Sequence, residues 1–506
     1  MTNTTTPGNP DLAGSSFWKS LANLWTRLFS GGEPREVHPR RLPALSTSAW
    51  LALERMFHAA ARNNDNERAA RMRIKQILSI YLQCDDVGKS KFFALLSDKF
   101  GPDEIAVRAA INRYLGAADR LSRSRAEADL TLELESPRLR ILRQFNLLPD
   151  GVSALVCLRA DLLRLDADHH LAELEWDLLR LLTTWFDVGF LELQRIGWNS
   201  PAALLEKLIR YEAVHEIKSW TDMRNRLDSD RRCYAFFHPR MPEEPLIFIE
   251  VALVQQISRS IQALLDESQP TLDPAHATTA VFYSISSTQP GLKGVSLGEF
   301  LIKRVVEQLV VEYPRLHTFV TLSPVPGFGR WLEKRLTDPA NPSHVPSDLH
   351  RDLAEQGAPP NMASIRSALD QDIAEKRKLP RGFGKWLQRQ CAAYLLEAKS
   401  DQHPLDPVAR FHFSNGASLA QINWLADTSA HGRRQSLGLM VNYLYQIEDI
   451  EKNHDAYARE GSLAAAPSVR SMLAGTNPSR PRQAARGSSQ RKDIPASATG
   501  PRTHGP

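Results

Sequence analysis

The sequence predicts an α+β multidomain chain, with an N-terminal all-helical bundle over residues 44–227 followed by an α/β domain over 228–460. Two observations carry this. From residue 45 to about 225, apolar side chains recur at helical spacing, with glycine and proline at the breaks. Near Asp228 the texture changes to short runs rich in β-branched and aromatic residues, and strands then alternate with helices. A chain of 506 residues is long enough for two or three domains that each bury a core.

The first 43 residues read as a flexible arm. Phe17, Leu21, Leu24, Trp25 and Leu28 form one helical stripe, suited to a docking helix. The Ser/Thr-rich, acid-poor stretch faintly resembles an organelle transit peptide but lacks its arginine density. In the bundle, Val107, Ile111, Tyr114, Leu115 and Ala118 mark one amphipathic helix, and Leu171, Leu174, Leu178, Leu181 and Trp185 mark another. Gly101-Pro102-Asp103, Ser136-Pro137, Pro149-Asp150-Gly151 and Asn199-Ser200-Pro201 separate such segments. The second region predicts strands over 232–237, 246–253, 280–286 and 318–322, the first two neighbours across a proline turn. A helix is expected from about Val295 to Tyr313, and further strands near 408–414, 418–424 and 437–445. Beyond Gly461 the Arg-, Ser-, Pro- and Gly-rich composition predicts a disordered basic tail over 461–506.

The net charge of +5 is concentrated in that tail, which holds seven basic residues against one acidic, Asp493. The rest is close to neutral, which argues against a nucleic-acid surface. No window approaches the ~18 apolar residues needed to span a bilayer, so no membrane partner is expected. Cys84, Cys157, Cys233 and Cys391 are far apart and form no CxxC pair. They predict neither a disulfide framework nor a metal site, but small buried hydrophobes in a reducing compartment.

Three segments carry chemistry. Ser286 to Gly298 runs from a strand through a loop with Gly291 and Gly294 into a helix. Such a loop suits a pyrophosphate, through backbone N–H groups and the helix dipole, with Lys293 adding charge; a plain glycine turn is the alternative. It matches neither nucleotide fingerprint, G-x-x-x-x-G-K-[ST] or G-x-G-x-x-G. Leu322-Ser323-Pro324-Val325-Pro326-Gly327 puts the Ser323 hydroxyl on a proline-stiffened turn at a strand end, as a site member or as a cap of the next helix. In Arg410-Phe411-His412-Phe413-Ser414, strand alternation places His412 on the more polar face, with Asn415-Gly416 as a hairpin signal.

Longer strings join these segments: Ser-Thr-Gln-Pro-Gly-Leu-Lys-Gly-Val-Ser-Leu-Gly from 287, Thr-Leu-Ser-Pro-Val-Pro-Gly-Phe from 321 and Phe-His-Phe-Ser-Asn-Gly-Ala from 411. Ile-Asn-Trp-Leu-Ala-Asp from 422 and Gly-Leu-Met-Val-Asn-Tyr from 438 follow. Together they resemble the malonyl-CoA decarboxylase family over roughly 45–455, with residues 1–40 and the tail outside the match. The resemblance implies a helical oligomerisation domain, a homotetramer, and a catalytic domain similar to the GNAT acyltransferases. It implies Ser323 and His412 as the catalytic pair, and Lys293, Gly294, Val295, Ser296, Leu297, Gly298 and Glu299 as the malonyl-CoA-binding loop. Eukaryotic members carry an acidic residue where this chain has Ser296. The expected reaction converts malonyl-CoA to acetyl-CoA and CO2 without cofactor or metal, through a thioester enolate protonated at Cα. His412, near its ordinary pKa, is the expected proton donor. The expected compartment is the cytoplasm, with a mitochondrion as the alternative. A GNAT-type acyltransferase and a non-catalytic CoA-binding scaffold are the rival functions.

Overall fold

A computed structural model describes residues 46–62, 64–338, 361–375 and 382–473. The arm over 1–43 and the tail beyond 473 lie outside them. The helical region comprises Thr47–Arg62, Glu67–Gln83, Asp86–Lys99, Glu104–Leu115, Arg120–Leu134, Pro137–Arg143, Gly151–Leu165 and Ala172–Trp185. The predicted breaks act as caps. Asp103 accepts backbone N–H groups at the start of one helix, and Ser136 caps another that has proline in its first turn.

One stretch departs from the helical expectation: Glu192–Ile196 is strand β1, pairing antiparallel with β2 (Arg231–Phe237). Leu191-Glu192-Leu193-Gln194 alternates apolar with polar, a period of two too short to stand out between the helical breaks on either side.

β1 and β2 begin an eight-stranded mixed sheet. It continues through β3 (Ile247–Val254), β4 (Thr279–Ser287), β5 (Thr318–Thr321), β10 (Met440–Tyr445) and β6 (Ser323–Pro324). β9 (Ser418–Asn423) pairs with β10, and a two-stranded ribbon of β7 (Lys399–Ser400) and β8 (His403–Pro404) lies apart. Every pairing is antiparallel except β4 with β5, which the helix Gly298–Glu312 connects. That helix starts three residues later than the apolar spacing suggests, because Val295 and Leu297 donate N–H to carbonyls of the turn before it.

The parallel pair opens partway. Thr279 to Phe282 pair with Thr318 to Thr321, and Leu322 N–H still reaches Phe282 O; beyond that β4 continues to Ser287 against β3 alone. A bulge at Glu250/Val251 places Tyr283 as the extra residue at this divergence. The splayed parallel pair lies in an otherwise antiparallel sheet, giving the α/β domain expected after the helices. One apolar cluster runs from Leu53 of the helical region through Leu155, Leu292 and Val305 to Tyr443 and Val469.

Two further expectations are corrected. Residues 407–414 form a helix, Pro407–Ser414, instead of a strand. Asp406 caps its start, Pro407 fills the first position, and Asn415 with Gly416 (φ +76°) closes its end as a helix C-terminus, not a hairpin. The chain also stays ordered past Gly461: Pro467–Leu473 is helical, Val469 is buried, and Leu419 bridges Ala465.

Candidate active site

The break between β5 and β6 makes the site. Thr321 and Ser323 lie two residues apart in an extended segment, so both side chains point to one face. Val441 of β10 pairs with Ser323 and Leu444 pairs with Val320, and between them side-chain bonds take the place of the ladder. Asn442 Nδ2 donates to Thr321 O at 2.6 Å, and Tyr443 N–H donates to Thr321 Oγ1 at 3.2 Å. Gln421 and Asn423 donate to Asn442 Oδ1, so its orientation is fixed from both ends.

The Pro407–Ser414 helix lays His412 against this break. Ser323 Oγ is 3.1 Å from His412 Nε2, and Tyr445 Oη is 2.8 Å from His412 Nδ1. Ser323 donates its hydroxyl proton to Thr321 Oγ1 at 2.9 Å. His412 Nε2 must then be the donor to Ser323, which leaves Nδ1 to accept from Tyr445. The imidazole also stacks on Tyr443, with centroids 4.3 Å apart, and is 2 % exposed.

Burial pushes the His412 pKa down to about 3, in place of the near-ordinary value expected of a proton donor. Tyr445, equally buried, is pushed well above the usual tyrosine range. The relay is therefore neutral at pH 7. Its third member is a phenol, not the carboxylate that sustains a serine nucleophile, and His412 donates to Ser323 instead of accepting from it. That arrangement does not activate Ser323 for covalent catalysis.

The predicted loop adjoins the relay through one close approach. Gly298 opens the Gly298–Glu312 helix directly against Phe411, the neighbour of His412; a Cβ there would fall 2.5 Å from Phe411 Cε2. Gly294 takes a positive φ of +88°. Lys293 and Ser296 are exposed, Val295 is half-buried, and Leu297 is buried. Glu299 belongs to the helix backbone, and its side chain lies outside the described residues. The structure thus sets the helix end of the loop, Gly298, against the helix that carries His412, and His412 against Ser323.

Sequence reasoning missed Thr321, Asn442 and Tyr445. The two-residue spacing from Ser323 could have flagged Thr321. Asn442 and Tyr445 are joined to the site only by sheet order.

Models of the malonyl-CoA decarboxylase C-terminal and N-terminal domains match residues 189–483 and 100–186. The chain belongs to the malonyl-CoA decarboxylase family. That family is one of carboxy-lyases, and its match runs past Gly461, into the segment read as an unrelated tail. The mitochondrial malonyl-CoA decarboxylase of Rattus norvegicus is 40% identical over 352 residues, covering 67% of this chain and 71% of that one. The enzyme of Anser anser anser is 39% identical over 353 residues, covering 67% and 70%. Among solved structures, malonyl-CoA decarboxylase from Rhodopseudomonas palustris superimposes with a TM-score of 0.73 at 41% identity, covering 84% of this chain and 100% of that one. The protein from Agrobacterium vitis gives 0.73 at 40% identity, covering 83% and 99%.

Proposed function

We propose that this chain decarboxylates malonyl-CoA to acetyl-CoA and CO2, with the 293–299 loop holding CoA and the Tyr445–His412–Ser323–Thr321 relay facing the reacting carbons. The observation that carries the reading is that buried relay beside the start of the Gly298–Glu312 helix. Loss of CO2 moves the electron pair of the breaking C–C bond toward the thioester carbonyl, giving an enolate. The thioester is itself the electron sink, so the reading needs no cofactor or metal. The enolate then takes one proton at Cα, and that proton comes ultimately from solvent.

A neutral His412 has no proton to spare, and the substrate resolves this. Desolvation is what lowers its pKa, and a carboxylate brought beside the ring raises it. The malonyl carboxylate thus draws a proton onto His412 as it binds. Once CO2 leaves, the negative charge sits on the enolate and His412 delivers the proton to Cα. Ser323, already held by His412 and Thr321, turns its hydroxyl to the carboxylate or passes the proton.

Malonyl-CoA supplied alone should yield acetyl-CoA and CO2 in equal amounts with no acceptor; protein that releases no CO2 refutes the reading. The protonation step has its own measurement. The carboxyethyl thioether of CoA keeps the carboxylate but has no carbonyl to drive decarboxylation. Its binding near pH 7, followed by calorimetry in buffers of different ionisation enthalpy, should take up about one proton. His412→Gln should abolish that uptake; an uptake unchanged in the variant would remove His412 from the step.

Association into a homo-oligomer belongs to the same proposal. The helices Glu104–Leu115 and Arg120–Leu134 each bury only one residue, Ala110 and Ala126. Ile105, Leu115, Leu121 and Leu132, part of the predicted apolar stripe among them, stay exposed within the chain. Among the described residues no helix is long and apolar enough to cross a membrane.

A further inference from the structure

The loop read as the CoA cradle is not shaped by its own sequence alone. Its seat is the helix Gly151–Leu165, in the region that sequence analysis left without a chemical role. Arg159 projects from that helix and is 2 % exposed. Its Nη1 donates to Gly291 O at 2.7 Å and to Lys293 O at 2.8 Å. The other edge of the guanidinium is held by Glu175 of the Ala172–Trp185 helix. Gly291 packs so closely on the same helix that an added Cβ would fall 1.9 Å from Val156 O. Leu179 lies under Gly294, 3.6 Å from where a Cβ would sit.

Arginine suits this task because its planar fork has donors to spare. One nitrogen ties down two carbonyls two residues apart, while the rest of the head is neutralised by Glu175. With both carbonyls drawn inward, Leu292 between them is buried, while Lys293 and the following Gly294 are exposed. We infer that Arg159 is a positioning residue for substrate binding: it sets the loop conformation from within the helical region, without touching the reacting atoms. This rests on the reading of 293–299 as the CoA-binding loop.

The role predicts a split between binding and turnover. Arg159→Met should raise KM for malonyl-CoA and Kd for CoA about tenfold, the factor that corresponds to losing the order supplied by one strong hydrogen bond. kcat should stay within about twofold, because Ser323 and His412 hang from other elements. Arg159→Lys, which keeps the charge but can satisfy fewer carbonyls, should fall between the variant and wild type. Should Arg159→Met fail to fold with Glu175 unpaired, Arg159→Met/Glu175→Leu removes both charges and should show the same KM rise. A KM unchanged in a folded variant, or a kcat falling in step with KM, overturns the inference. Lys293→Ala and Gly294→Val, titrated with CoA in parallel, separate it from the reading beneath. If those two weaken CoA and Arg159→Met does not, the positioning role fails alone. If none of the three weakens CoA, the loop assignment fails with it.

Discussion

His412→Gln is expected to lower malonyl-CoA turnover by about 10²–10⁴-fold, the range that general acid catalysis supplies, while CoA binds as before. Glutamine tests the proton alone. Its amide can keep an N–H toward Ser323 Oγ and lie against Tyr443, where the imidazole now sits. What it cannot do is accept a proton with the substrate and give it up to an enolate. Turnover near wild type would exclude His412 from the chemistry. The substitution also changes acid stability, with a defined sign. The folded-state pKa of about 3 lies below the ordinary 6.5. As pH falls through 6.5 the unfolded chain binds the proton first, so stability is lost on acidification. At about pH 5 this amounts to ~2 kcal/mol that the variant does not lose. Urea midpoints at two pH values read it directly.

Arg226→Met is expected to destabilise the fold by about 3–5 kcal/mol, the range for removing one partner of a buried ion cluster. Arg226 is 1 % exposed. It donates to Asp222 at 2.8 Å, to Glu250 at 3.0 Å and to Glu216 O at 3.1 Å, fastening the helix Trp220–Asn225 to β3. Removing it leaves the Asp222 carboxylate and the Glu250 carboxyl without their shared donor. Burial already raises Glu250 to about 8 from an ordinary 4.5, despite the guanidinium beside it. The sign follows: the folded state holds this proton more tightly, so stability is fully present below 4.5 and is lost as pH rises through 8. Glu250→Gln should therefore flatten the alkaline loss. In the Arg226→Met background it should restore part of the lost stability, through the coupling that a double-mutant cycle reads. An Arg226→Met variant as stable as wild type would show that the cluster contributes nothing net.

The strands around the site were legible because each is a local run: 232–237, 246–253 and 280–286 read directly as β2, β3 and β4. Ser323 and His412 were legible as candidate site members from their local sequence, but as a catalytic pair only through the family resemblance. The surroundings of His412 were misread for a reason that can be named. Phe411, His412 and Phe413 alternate like a strand over a short window, whereas the helix is announced by its ends, Asp406-Pro407 and Asn415-Gly416. Within eight residues, termini outweigh periodicity. The histidine's depressed pKa was beyond sequence altogether. It depends on Tyr443, Tyr445 and the Gly298 approach, which meet only once β5, β6 and β10 are in order. Arg159 was hidden likewise, since its partners are backbone carbonyls 132 and 134 residues away.

The apolar cluster that passes from the helices into the sheet has a consequence for how this protein can change over evolutionary time. Leu292, just before the loop, and Leu297, within it, share one core with Val156, Leu158 and Leu174. A boundary that is clean in sequence is thus not a seam in cooperativity. Neither half could be exchanged for that of a distant relative without remaking the other's packing, because interiors tolerate little misfit. The helices are then inherited with the loop, and substitutions facing that junction are constrained as a pair.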